Sequence, residues 1–81
     1  MIRRKQELVK SKITGREYNE TSCVYVVNML QVARYMKNGA HEFLVDILYD
    51  GVRREDTLVF VFEKNDIIKD LYKKWNAHEL H

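Results

Sequence analysis

Cys23-Val24-Tyr25-Val26-Val27-Asn28-Met29-Leu30-Gln31-Val32-Ala33-Arg34-Tyr35-Met36-Lys37-Asn38-Gly39 decides the fold, because it reads as a strand running directly into a short capped helix. Cys23 to Val27 is an unbroken run of strand-forming residues. Asn28 suits the N-cap, and Gln31, three residues on, stands where a capping box takes its reciprocal partner. Gly39 falls where a helix needs a left-handed residue to stop. From Asn28 the apolar period lengthens to that of a helix. Met29, Val32, Ala33 and Met36 share one face, and Gln31, Arg34, Tyr35 and Lys37 point towards the other.

Working outward, His41 to Tyr49 alternates as a strand, with Phe43, Val45, Ile47 and Tyr49 on one side and Leu44, Asp46 and Leu48 on the other. Thr57 to Glu63 does the same, with Leu58, Phe60 and Phe62 facing away from Val59 and Val61. Both strands are apolar on two sides and therefore want two covers. Asp50-Gly51 between them signals a hairpin. A tight turn there pairs Tyr49 with Val52, whereas the polar run Arg53-Arg54-Glu55-Asp56 favours a longer exposed tip. Asn65 and Asp66 open a final helix whose stripe is Ile67, Ile68, Leu71 and Trp75, with Leu80 as an extension. Upstream, Leu8, Val9 and Ile13 among charges permit a short helix or a marginal strand, and Thr14 to Ser22 reads as a connector. The fold class is α+β: a β-α-β-β-α domain with a sheet of about three strands and both helices on one face. Residues 1–22 form a basic N-terminal element and residues 23–81 the single domain. The second sheet face must meet the N-terminal element, a second copy or a foreign partner.

With 81 residues, 46% of them hydrophobic, the chain has room for one domain and one modest core. The lone Cys23 excludes a disulfide framework and fits a reducing, cytoplasmic compartment. The longest apolar runs, Val24–Val27 and Leu58–Phe62, are far too short to span a bilayer, and no signal-peptide core follows the basic start, so no membrane partner is expected. The net charge is +2, yet residues 1–22 hold six Lys or Arg against three Glu, while the rest hold eight against nine acids. Arg3, Arg4, Lys5, Lys10 and Lys12 are thus the candidate contacts to a nucleic-acid backbone or an acidic surface, set against the plainer reading of a solvated chain end.

Signs of catalysis are sparse. His78 and His81, with Glu79 or His41, lack compact ligand spacing, and chain-end histidines are ordinarily solvated, so no metal is expected. Asp46, Asp50, Glu55 and Asp56 have no nearby base or nucleophile in sequence, and no glycine-rich phosphate loop occurs. An apolar strand favours the neutral thiol of Cys23 over the thiolate. The reading is a non-enzymatic protein without cofactors. Trp75, Tyr72 and Lys74 are candidate partner contacts because large rings dominate binding patches, although the spacing of Trp75 from Ile68 and Leu71 equally places it in a core. Arg53 and Arg54 are candidates at the hairpin tip.

Two resemblances follow from the motifs. Tyr25 and Asn28, then Gln31, Tyr35 and Gly39, Val59-Phe60-Val61-Phe62, Leu71-Tyr72-Lys73-Lys74-Trp75 and His78-Glu79-Leu80 resemble a family of small uncharacterised proteins from phages and mobile elements of Gram-positive bacteria. That resemblance implies a bacterial or phage setting and carries no activity, cofactor or catalytic residue. Val24-Tyr25-Val26-Val27-Asn28-Met29 also resembles the shorter ribonucleoprotein signature of RNA recognition motifs, which implies base stacking by Tyr25 and Phe60. The longer signature is absent, since Asp56-Thr57-Leu58-Val59 stands where the basic residue, glycine and aromatics belong, and no fourth strand follows the last helix. The leading expectation is an interaction protein of a phage or mobile element that docks on a host or phage protein, an anti-defence inhibitor being one form, with a homodimer as a further possibility. The alternative is a nucleic-acid-binding accessory protein that uses the basic arm, Arg53 and Arg54.

Overall fold

A computed structural model describes residues 8–50 and 56–81. A short hairpin comes first, β1 (Val9–Lys10) and β2 (Glu17–Tyr18), turning through Gly15 at φ 75°. A 3₁₀ turn (Glu20–Ser22) leads into β3 (Cys23–Val26), then α1 (Met29–Lys37) and a second 3₁₀ turn (Ala40–Phe43). Strands β4 (Leu44–Asp50) and β5 (Thr57–Glu63) precede α2 (Asp66–Asn76). The central sheet is antiparallel in the order β3-β5-β4. The α+β class, the three-stranded sheet and the expected helices are all present.

Capping explains the helix boundaries. Asn28 Oδ1 accepts from the Gln31 amide at 3.1 Å and Asn65 Oδ1 from the Ile68 amide at 2.9 Å. Gly39 ends α1 at φ 95°, a conformation that costs other residues a Cβ clash. The capping box is only half made, because the Gln31 side chain donates instead to the Tyr35 hydroxyl at 3.0 Å. That bond belongs to a rotated packing stripe. Tyr35 is 0% exposed and meets Phe62 edge-on at 5.7 Å, whereas Met29 and Ala33, expected inside, are exposed. A large ring whose hydroxyl is satisfied gains more from burial than Met29 at a helix entrance.

The helix side of the sheet holds the larger core: Val26, Val32, Tyr35, Phe62, Ile68 and Leu71, with Val24, Phe60 and Trp75 packed around them. Leu80 joins this core but does not extend α2. The helix stops at Asn76, His78 takes φ 58°, and the chain folds back. Arg34 Nη1 then donates to the Leu80 carbonyl at 2.7 Å, and Asn38 Nδ2 to the His81 carbonyl at 3.0 Å. Ile67, placed in the stripe by spacing, is exposed.

The strict alternation expected over 41–49 is broken by a bulge. Leu44 lies opposite Phe62 and Asp46 opposite Val61, so Val45 is the extra residue and both Val45 and Asp46 turn to the face away from the helices. Ile47 and Tyr49 then share the helix side with their partners Phe60 and Leu58. Asp50 pairs with Thr57, so Tyr49 faces Leu58 and no tight turn pairs it with Val52. The remainder of that connection lies outside the described residues.

The face away from the helices is covered by the β1-β2 hairpin. Tyr18, Val45 and Val61 form a second small core with Val9 and Cys23 beside it. Asp46, 4% exposed, anchors the hairpin. Ser11 Oγ donates to it at 2.7 Å, the Ile47 amide at 2.8 Å, and the Tyr18 hydroxyl closes the set. Thr14 Oγ1 adds a bond to the Val45 carbonyl at 2.7 Å and Arg16 Nη1 one to the Glu42 carbonyl at 2.7 Å. The hairpin therefore clasps β4 next to its bulge.

Candidate functional site

The two outer strands of the sheet differ in what lies beside them. Next to β4 the hairpin turn supplies bonds through Thr14 and Arg16. Strand β3 pairs with β5 alone among the described residues. The Lys64 amide donates to the Ser22 carbonyl at 3.0 Å, which makes that pair hydrogen-bonded. In an antiparallel ladder the hydrogen-bonded pairs alternate, so Val24 and Val26 bond to β5, while Cys23 and Tyr25 aim their main-chain N–H and C=O away from it.

An open groove of about 530 Å³ runs between this edge, at Cys23, and α2, with Val24, Ile68 and Tyr72 forming its apolar walls. Lys64, Lys69 and Lys73 rim it. The ion pair formed by α2 joins Lys74 to Asp70 at 3.1 Å, and the three rim lysines have no carboxylate partner among the described residues. The Cys23 side chain turns to the other face, beside Tyr18 and Val45, where burial, followed by the Glu63 carboxylate, pushes the thiol up from its usual range. Tyr72, 52% exposed, is the predicted partner residue that lines the groove. Lys74 is held by Asp70 outside it, and Trp75 is half-buried against the helix-side core.

A second groove, about 540 Å³, crosses the other sheet face beside the hairpin. It gathers three predicted nucleic-acid residues, Lys10, Lys12 and Tyr25, together with Leu48 and Glu20. Tyr25 is 45% exposed, and its hydroxyl donates to the Glu20 carbonyl at 2.9 Å. Phe60 is not there. The cross-strand neighbour of Tyr25 is Val61, so Phe60 points to the opposite face and is half-buried under the helices. A base-stacking platform that uses Tyr25 and Phe60 together is therefore not formed. Arg3, Arg4, Lys5, Arg53 and Arg54 lie outside the described residues.

Asp46, Ser11 and Tyr18 bring a carboxylate and two hydroxyls together, but every group is committed. Burial raises the Asp46 carboxyl, and hydrogen bonds from Ser11, Tyr18 and the Ile47 amide overcome that and hold it below the usual carboxylate range. The Tyr18 phenol is pushed well up, first by burial and then by Asp46. Ser11 Oγ also accepts from the Ile13 and Thr14 amides, at 3.1 and 3.0 Å. The trio fastens the hairpin.

Among the described residues no cluster of three His, Cys, Asp or Glu is disposed to hold a metal ion. No helix among them is long and apolar enough to cross a membrane. Sequence reasoning misses the lysine triad, because the N-terminal charge excess is the stronger signal. The pattern that could have revealed it is the i,i+4 pair Lys69 and Lys73, one helical face, following Lys64 just before the N-cap. Among the described residues these features define a small α+β domain whose β3 edge is unpaired at Cys23 and Tyr25. Comparison with known proteins finds no matching family model, no similar curated protein and no similar solved structure.

Proposed function

We propose that the chain is a non-enzymatic protein-interaction module, and that its contact surface is the β3 edge with the neighbouring groove. The observation that carries this reading is the open main-chain ladder of Cys23 and Tyr25 beside apolar walls formed by Val24, Ile68 and Tyr72. Exposed strand edges are templates for another chain, and folds that do not use them commonly blunt them with bulges or covers, as the bulge at Val45 and the hairpin turn do for β4. The setting we propose is the one implied by the resemblance of residues 25–80: a phage or mobile element in the cytoplasm of a Gram-positive bacterium, with inhibition of a host defence protein as one form of the activity. Affinity capture from element-carrying cells, followed by hydrogen exchange on the recovered complex, tests the reading. Slowed exchange at the Cys23 and Tyr25 amides supports it, and a complex that leaves β3 unprotected counts against it.

Binding of single-stranded nucleic acid is the second reading. It is favoured by Lys10, Lys12 and Tyr25 sharing the other groove, a combination of cations and an exposed ring that suits an unstacked strand. Titration of a labelled oligonucleotide at physiological ionic strength decides it. Affinity that vanishes into a salt-sensitive background and is unchanged by Tyr25→Ala removes this alternative.

A further inference from the structure

We propose that the groove beside β3 receives an extended acidic segment of a partner protein as a fourth strand. The assignment rests on the interaction reading above and adds the chemistry of the partner. Cys23 and Tyr25 each present both a main-chain donor and an acceptor outward. Another polypeptide backbone complements both at the strand repeat, whereas phosphate groups offer acceptors alone.

The side chains specify the rest. A strand laid along β3 sends every second side chain towards α2, since successive side chains alternate between sheet faces. On that side Lys64, Lys69 and Lys73 await negative charge, while Val24 and Ile68 offer apolar surface to the stem of a glutamate. The intervening side chains fall on the face of Tyr25, whose exposed ring suits aliphatic residues. The recognised pattern is therefore alternating acidic and aliphatic. A second copy is a poorer occupant, because antiparallel β3-β3 pairing brings a second lysine triad to face the first. The triad holds no arginine, the residue best shaped to grip phosphate in two places.

The test uses the full chain and a fluorescein-labelled peptide of alternating valine and glutamate. Saturable binding with slowed exchange of the Cys23 and Tyr25 amides is expected. Lys69→Glu with Lys73→Glu is expected to weaken it about tenfold, and Lys69→Gln with Lys73→Gln about threefold. Both lysines are exposed on α2, and far-UV circular dichroism confirms that the variants keep their helices. Equal affinity for a valine-lysine peptide, or insensitivity to the reversals, overturns the proposal. So does β3 protection that appears in the free protein with rising concentration, which assigns the edge to a second copy, or tighter protection by oligothymidylate, which assigns it to nucleic acid. A captured partner still held by the Lys69→Glu, Lys73→Glu variant overturns the acidic-strand assignment while leaving the interaction reading intact.

Discussion

Replacing Asp46 by alanine should release the N-terminal hairpin and remove a large share of the protein's stability. The carboxylate is 4% exposed and accepts from Ser11, Tyr18 and the Ile47 amide. A hydrogen bond to a charged group contributes about 1.5–3 kcal/mol, and a buried donor left without a partner costs about 1–3 kcal/mol. The Ile47 amide is only partly buried, so water can replace its bond, but the Ser11 and Tyr18 hydroxyls are enclosed. The loss should therefore be about 3–4 kcal/mol, a shift of roughly 15–20 °C in Tm for a domain near this size. Asp46→Asn should cost only about 1–2 kcal/mol, because the Tyr18 hydroxyl can turn to accept from the amide group. Urea unfolding followed by circular dichroism gives the totals. Hydrogen exchange gives the location: the Ser11 and Gly15 amides, which bond to the Arg16 and Ser11 carbonyls, should lose protection before β5 does. An alanine variant within about 1 kcal/mol of the parent, or one that loses hairpin and sheet protection in step, would refute the idea of an anchored, separable hairpin.

Four further outcomes follow from the same structure. Because the folded Asp46 carboxyl lies below its unfolded value, its contribution is complete above the unfolded pKa and disappears as pH falls through the depressed folded one; acid titration of stability should show this limb, and Asp46→Asn should flatten it. Gly39→Ala should cost about 1–2 kcal/mol by thermal melting, since φ 95° strains any side chain even though open space surrounds the position. Asn65→Ala should cost about 1 kcal/mol through loss of its bond to the Ile68 amide, read as reduced stability in urea without a change in slope. Alkylation of Cys23 should be slower than that of a free thiol and shifted to higher pH, so a rate matching free cysteine would contradict the half-buried site beside Glu63.

How much of the fold is readable in the chain depends on the range of the interaction concerned. Asn28, Asn65 and Gly39 act on backbone groups within four residues, so both helix starts and the end of α1 follow from local chemistry, while the end of α2 at Asn76, short of Leu80, does not. The Phe-rich strand, the preceding strand and the β-α-β-β-α order are likewise legible, because apolar period and turn residues are local signals. Tyr35 is harder. Its place inside depends on Phe62 and on Gln31 as hydroxyl partner, and the aliphatic stripe of α1 points elsewhere.

The candidate site shows the same division. Tyr72, Lys10, Lys12 and Tyr25 are visible as exposed or basic residues, but not which of them share a groove. Register decides that: placing Val61 opposite Tyr25 puts Phe60 on the other face, and a register one residue different reverses it. The bulge at Val45 leaves no mark in the alternating sequence, yet it turns Asp46 towards Ser11 and Tyr18 and lets the hairpin close the second face. The amino-acid sequence by itself determined the class, the helices with their caps, and the strands with their two apolar sides. Only the tertiary structure decided which face the hairpin covers and that, among the described residues, the lysines of α2 and its approach lie beside the unpaired edge of β3, because strand order and helix packing rest on contacts between residues far apart in the chain.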